Sequence, residues 1–358
     1  MTGFFQQIVD WQRVSGRHGL PWQGTHDPYR IWLSEIMLQQ TQVSTVLNYY
    51  GRFLQRFPDV QTLAAAPLDE VLAHWSGLGY YSRARHLHRC AIEVVAHWNG
   101  HFPSSAATLQ QLPGIGRSTA AAIAAFSQGE RVSILDGNVQ RVLTRWLGDA
   151  ADLAQAAHVK ALWQKADALI PADATHADMV AYTQGLMDMG ATVCKRTRPA
   201  CAACPVQQGC VAAQQAHPSQ FPVKTRRLKR QTEAWWLRVL RRVDDGAYWM
   251  QPRSHEGIWP GLYAFPVVAS ADEAAAPPNE SPAGAEPVWH PPLRHALTHK
   301  ELVLHLVEWP VLAVPDGLPG LWVAGPHDQA VGMPAPLRAW LVARSAPPAP
   351  LAQQPLWC

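Results

Sequence analysis

Charge is scarce in this chain of 358 residues: Asp, Glu, Lys and Arg make up 16%, and the net charge is only +3. With 48% hydrophobic residues, so little charge excludes a disordered polyelectrolyte, and the small excess excludes a histone-like polycation. It leaves room for a local basic face. Long apolar runs are also missing. None approaches the ~18 residues of a membrane span, which predicts no membrane association. The start, MTGFFQQIVD, lacks a basic stretch followed by an apolar one, so no secretory signal is expected and the location is read as cytoplasmic. The six cysteines are then expected as reduced thiols and not as a disulfide framework. Tryptophan, in contrast, is plentiful at 16 residues. Trp fills cores, but it also stacks on bases.

The length predicts two or three domains. Residues 1–250 hold 11 prolines and residues 251–358 hold 19, and the character of the chain changes between them. The first part reads as helices with short breaks. Phe4, Phe5, Ile8 and Val9 share one helical face, and Asp27-Pro28 is an N-cap with proline at the first helical position. The apolar period that follows runs on to Phe57. Further helices are predicted over 67–75, 81–98, 117–126, 138–147, 153–169 and 175–189, and no strand before residue 230. Residues 217–232 form a basic linker. After it, Trp235–Val243 reads as a strand, Asp244-Asp245-Gly246 as a turn, Tyr248–Gln251 as its return, and Leu302–Val307 as another strand. Residues 269–287, rich in Ala, Pro and Glu, read as a mobile loop, and 345–358 as a loose tail.

Four cysteines stand close together, Cys194-x6-Cys201-x2-Cys204-x5-Cys210, and four thiolates so spaced can converge on one metal centre. Buried free thiols or a structural zinc are the alternatives that spacing leaves open. Cys90 and Cys358 lie outside the group. Lys195, Arg196 and Arg198 fall in its first loop, and from Lys195 to Arg242 there are eleven Lys or Arg against one acid, Glu233. A bias of one sign, tied to this loop, suits a phosphate-binding surface. Upstream, Leu112-Pro113-Gly114-Ile115-Gly116-Arg117-Ser118 ends one helix and starts another. The amides at the new helix start can take a phosphate, though a plain helix–helix turn would look the same. It is not a dinucleotide fingerprint, because no strand precedes it and the third glycine is missing. Ile134-Leu135-Asp136-Gly137-Asn138 then sets a carboxylate just ahead of a helix, where an N-cap is the plain explanation.

Taken together, the Leu-Pro-Gly-Ile-Gly hairpin, the following Asp and the four-Cys loop resemble the helix-hairpin-helix DNA glycosylase superfamily. The cysteine spacing is similar to the [4Fe-4S] loop of its endonuclease III and MutY members. Leu20-Pro21-Trp22, the stretch WLSEIMLQQTQ from Trp32 to Gln42, and GLGYYSRAR from Gly77 to Arg85 resemble the MutY-type adenine DNA glycosylases almost letter for letter. The likeness is strong over residues 4–215 and weaker after 230.

The resemblance implies a mainly α body over 1–216, with its helix-hairpin-helix near 108–126 and a [4Fe-4S] cluster on Cys194, Cys201, Cys204 and Cys210. It implies a smaller, α+β, Nudix-like domain over 233–344. It also implies a monomer in the cytoplasm, at the nucleoid, acting on double-stranded DNA that carries adenine opposite 8-oxoguanine or guanine. Glu35 would protonate adenine at N7. Its apolar surroundings suit an acid kept protonated near neutral pH, unless the side chain faces solvent. Asp136 would stabilise the oxocarbenium ion at C1′ or attack it, and Asn138 and Ser118 would orient these groups and the water. Gln40 and Tyr80 match intercalating residues, although Tyr80 also suits a packing role. Gly114, Gly116, Lys195, Arg196 and Arg198 would contact the backbone of the DNA, and Trp22 and Gln184 would line the adenine pocket.

Departures from the family sharpen the reading. Ser118 stands where relatives that cut the backbone carry Lys, and Ser cannot form an imine, so a monofunctional enzyme is expected. His18 and Gln140 occupy two places where the family often has Lys. The C-terminal domain lacks the catalytic Nudix box, so it is expected to bind and not to hydrolyse. The family's Phe-Ser-His lesion-reading loop corresponds to Leu297-Thr298-His299, which keeps a hydroxyl and loses the aromatic ring. The main alternative is an endonuclease III-type glycosylase/lyase for oxidised pyrimidines, against which Ser118 and the C-terminal extension argue. Two others are a non-catalytic DNA-binding protein, disfavoured by the Glu35 and Asp136 pair, and a Nudix hydrolase, disfavoured by the missing box.

Overall fold

A computed structural model describes residues 3–225, 230–254, 256–297, 299–314, 318–325 and 331–345. Its helices are α1 (Phe4–Ser15), α2 (Pro28–Leu38), α3 (Val43–Arg56), α4 (Val60–Ala65), α5 (Leu68–Trp75), α6 (Ser82–Trp98), α7 (Ala106–Leu109), α8 (Arg117–Gln128), α9 (Gly137–Leu147), α10 (Ala156–Ala168), α11 (His176–Thr192), α12 (Val211–Gln214), α13 (Ala271–Ala275) and α14 (Ala335–Ser345). Its strands are β1 (Gln231–Arg242), β2 (Tyr248–Pro252), β3 (Tyr263–Ala264), β4 (Val267–Val268), β5 (Val288–Trp289), β6 (Leu293–Ala296), β7 (Lys300–Val311) and β8 (Leu321–Val323). The chain divides into two compact units, Met1–Ala66 with Ser82–Arg227, and Pro67–Tyr81 with Leu228–Cys358.

The first unit is helical, and side chains cap several of its helix starts. Asp27 accepts from the Tyr29 amide ahead of α2, with Pro28 at the first position, and Thr175 and Asp178 form a capping box on α11. The core joins Phe4, Phe5, Ile8 and Val9 of α1 to Ala121, Ala122 and Ala125 of α8, Leu143 of α9 and Tyr182 and Leu186 of α11. The alanines let α8 pack closely between α2 and α11. The predicted continuous period from Asp27 to Phe57 is broken in the structure, because α2 stops at Leu38 and α3 starts at Val43. The reason is Arg83, a buried guanidinium from α6. Its Nη1 donates to the carbonyls of Ile36, Met37 and Gln39, and its Nη2 to Thr41 Oγ1, so the last turn of α2 is satisfied from outside.

The second unit is a mixed eight-stranded sheet with path β3-β2-β1-β7-β5; β4 joins β1, β6 joins β7 and β8 joins β2. Its spine is the long parallel pair β1 and β7, in register from Gln231↔Lys300 to Arg242↔Val311. The expected turn at 244–246 returns β2 antiparallel, with Arg241 opposite Tyr248. Leu240, Trp249, Val307, Trp309 and Val311 form a core on this sheet.

Three expectations need correction. Residues 67–81, read as part of the helical body, pack in the second unit: the Ser76 and Tyr81 hydroxyls both donate to the Met333 carbonyl, and Leu72 lies against Gly332. The 269–287 stretch is not loop throughout. It carries α13, capped by Ser270, with Ala274 fully buried and its carbonyl bonded to the Trp309 indole. The linker is tied down at both described ends. Val223 and Thr225 bond to Leu153 and Asp152 of the body, and residues 231 and 232 already belong to β1. The tail at 346–358, with Cys358, lies outside the described residues.

Candidate active site

A cavity of about 1320 Å³ opens in the first unit, and seven of the residues singled out from sequence line it: Trp22, Glu35, Gln40, Ser118, Asp136, Asn138 and Gln184. They come from six places in the chain, with Gln40 in the loop between α2 and α3. Glu35 sits on α2, Ser118 on the first turn of α8, Asp136 and Asn138 at the start of α9, Gln184 on α11, and Trp22 in the loop before α2. Trp22 is buried edge-on against Tyr50.

The two carboxylates meet different surroundings. Glu35 is partly open to the cavity and otherwise enclosed, and burial, followed by repulsion from Asp136, pushes its carboxyl up from 4.5 to about 8. Asp136 is indeed the N-cap of α9, since its Oδ1 accepts from the amides of Asn138 (2.9 Å) and Val139 (2.8 Å). Capping uses one oxygen and leaves Oδ2 without a partner among the described residues, so the plain and the chemical readings of Asp136 are compatible. Ser118 Oγ accepts from the Leu135 amide at 3.0 Å, which ties α8 to the segment that carries Asp136 and leaves the hydroxyl proton to be donated. Asn138 is pinned by Arg141, whose Nη2 donates to Asn138 Oδ1 (2.9 Å) and to the Gly190 carbonyl (2.7 Å). Gly190 lets α11 come this close, because a Cβ there would lie 2.7 Å from that of Asn138.

The hairpin lies between α7 and α8. Gly114 is required at its turn, with φ of 78° and His86 Cβ only 2.6 Å from where a side chain would start. Gly116 has an ordinary φ and open space instead. No side chain caps α8, so its first amides can donate to an anion. Gln40 stands at the cavity mouth, exposed and with a φ of 56°.

The four cysteines line a second, small cavity with Val142, Met189 and Val206. All four are free thiols, and burial together with its three cysteine neighbours pushes Cys204 up to about 11. Among the described residues no three side chains already stand together as metal ligands, so the thiols ring the cavity and do not converge. The donor set nevertheless fits a thiolate-bound centre, because four sulfurs surround one apolar space and Arg145 Nη1 donates to Cys194 Sγ at 3.4 Å. Lys195, Arg196 and Arg198 are exposed on the first loop, whose carbonyls at 195 and 196 Arg145 also holds.

Tyr80, Leu297 and His299 are not among the residues that line the cavity. Tyr80 belongs to the second unit, 46% exposed and in the left-handed region. Leu297 and His299 lie in the tight turn between β6 and β7, where the Leu297 amide donates to the Lys300 carbonyl; Thr298 lies outside the described residues. His18 lines the cavity, and Gln140 accepts from Lys224 Nζ at 3.1 Å, so an ammonium group stands beside that position after all. Sequence reasoning passed over Arg83, Arg141 and Asp188. For Arg83 and Asp188 the available signal was a charged residue among the buried positions of a helix, which demands a buried partner; Arg141, set among Asn138, Thr144 and Arg145, gave none.

Comparison with known proteins agrees with this architecture. Residues 33–167 match the HhH-GPD superfamily base excision DNA repair protein family, and residues 238–343 match the NUDIX domain. A solved thermostable thymine-DNA glycosylase superposes with a TM-score of 0.54 at 27% identity, covering 59% of this chain and 95% of that one. The adenine DNA glycosylase of Buchnera aphidicola from Acyrthosiphon pisum is 35% identical over 76% of this chain and 76% of its own length, and that of the Baizongia pistaciae strain is 39% identical over 74% and 73%. The human adenine DNA glycosylase is 42% identical over 62% of this chain and 41% of its own. With a helix-hairpin-helix body, a NUDIX-type second domain and relatives of that identity over three quarters of its length, the chain belongs to the adenine DNA glycosylase family.

Proposed function

We propose that this enzyme hydrolyses the N-glycosidic bond of adenine mispaired with 8-oxoguanine or guanine and leaves the strand uncut. The observation that carries this reading is the pair Glu35 and Asp136 on one cavity, with Glu35 held protonated up to about pH 8. A protonated Glu35 gives its proton to N7 of a flipped adenine, which turns the base into a leaving group. Asp136 faces the positive charge that grows at C1′. It is fixed by two amides and needs no reorganisation as that charge develops. Asn138 and Ser118 orient the water. Gln40 and Tyr80 each act as intercalating residues, and Leu297, Thr298 and His299 read the opposite base. Duplexes that differ only in that base test this. Adenine opposite 8-oxoguanine and opposite guanine is expected to be released and adenine opposite thymine is not; equal release from all three would overturn the mispair reading.

Ser118 predicts the state of the product. The abasic strand should stay intact until alkali is added, and borohydride should trap little enzyme on DNA. High-yield trapping of the wild type would show an imine and exclude the monofunctional mechanism.

Cys194, Cys201, Cys204 and Cys210 would hold a [4Fe-4S] cluster, which when bound supplies a rigid, one-electron-active core to the loop of Lys195, Arg196 and Arg198. The purified protein should then be brown and contain iron and acid-labile sulfide in equal amounts. Cys204→Ser should lose both and unfold at lower temperature. A colourless protein with one zinc per chain would replace iron–sulfur with zinc.

A further inference from the structure

Asp188 is a carboxylate with no access to solvent in the middle of α11, on a helix whose buried residues are otherwise almost all apolar. Burying a charge is costly unless it is paired and hydrogen-bonded, and here three donors converge on it. Arg17 Nε donates to Oδ1 at 2.7 Å and the Arg17 amide to Oδ2 at 2.8 Å. Gln184 Nε2, one turn back on α11, donates to Oδ1 at 2.8 Å. The same anchor reaches the loop before α2, which also lines the cavity. The Arg17 carbonyl accepts from Gln23 Nε2 (2.9 Å), and Gln23 Oε1 accepts from the Leu20 amide (3.0 Å), which fixes the loop that presents Trp22.

The consequence lies in the polarity of one amide. A side-chain amide has a donor end and an acceptor end, and its orientation is normally set by the network around it. The carboxylate of Asp188, ion-paired with Arg17, only accepts, so it must take the NH2 end of Gln184. Gln184 is 8% exposed and lines the cavity, and its Oε1 has no partner among the described residues. The acceptor end is therefore what Gln184 has to offer a bound base. A 6-amino purine presents N–H donors at its exocyclic group. A 6-oxo purine presents a lone pair there, and an unsubstituted purine presents neither.

We propose that Asp188 is a positioning residue that locks Gln184 as a hydrogen-bond acceptor, and that this lock makes the cavity select 6-amino over 6-oxo purines. The proposal rests on the adenine-excision reading above. In Asp188→Asn the new amide can turn its own NH2 towards Gln184, which then presents Nε2 to the cavity. Discrimination falls even where the fold is kept.

The test is single-turnover release of adenine, hypoxanthine and unsubstituted purine, each opposite guanine, by the wild type, Asp188→Asn and Gln184→Ala. Ratios between bases are compared across enzymes, so the intrinsic lability of each base cancels. Both variants are expected to lower the adenine-to-hypoxanthine ratio by about tenfold, the value of one satisfied hydrogen bond. A variant that is slower on all three bases with an unchanged ratio shows a purely structural Asp188 and overturns the proposal. Should Asp188→Asn fail to fold, Gln184→Ala, which leaves the Arg17–Asp188 pair intact, decides by the same ratio. Failure of the wild type to release adenine at all would instead remove the functional reading on which the proposal stands.

Discussion

Glu35→Gln is expected to abolish adenine release while binding to mispaired DNA persists. Gln keeps the size and polarity of the side chain and cannot deliver a proton, so the loss is that of a general acid, about 10²–10⁴-fold. Because the carboxyl is raised to about 8, the wild-type rate should hold through neutral pH and fall as pH climbs past that value. Stability carries a second signature. The folded form keeps the proton to about 8 and the unfolded form loses it near 4.5, so the native state binds more protons between these values and loses stability as pH rises through them. Below 4.5 there is no penalty; above 8 it is complete, on the order of a few kcal/mol. Glu35→Gln should therefore unfold like the wild type in acid and be more stable than it at pH 8. Near-wild-type turnover, or equal stability at both pH values, would remove Glu35 from this role.

Asp136→Asn is expected to slow release by about 10²–10³-fold or more, the range for losing one preorganised electrostatic partner of a transition state. Asn is a good N-cap and keeps the bonds to the Asn138 and Val139 amides, so α9 should stay formed. Asp136→Ala loses the cap as well and should cost a further ~1 kcal/mol of stability. The substitution should also act on Glu35. Repulsion from Asp136 is the smaller of the two causes that raise the Glu35 carboxyl, so its removal should move the alkaline limb of any residual rate to lower pH without abolishing it. A folded Asp136→Asn enzyme with wild-type turnover would leave Asp136 as a cap alone.

Local signals were the legible part of this chain. Asp27-Pro28 and the Asp244-Asp245-Gly246 turn act within a few residues, and each marks an observed boundary. What sequence could not show was set by distant partners. The break after Leu38 depends on a guanidinium from α6, and the grouping of 67–81 with the second unit depends on bonds to Met333. Glu35 and Asp136 stood out because their motifs resemble a family. Asp188 drew no notice in the sequence, because its partner Arg17 lies 171 residues away. The 269–287 segment misled because its composition is that of a loop, while a single buried alanine and one indole bond hold it in place.

The central claim, a monofunctional adenine glycosylase, is tested most directly by offering the wild-type enzyme two duplexes. One carries adenine opposite 8-oxoguanine and the other thymine glycol opposite adenine, and each labelled strand is resolved with and without alkali. The expected result is cleavage of the adenine strand only after alkali and an intact thymine glycol strand in both lanes. Cleavage at thymine glycol without alkali, with adenine retained, would contradict the account and identify a lyase for oxidised pyrimidines.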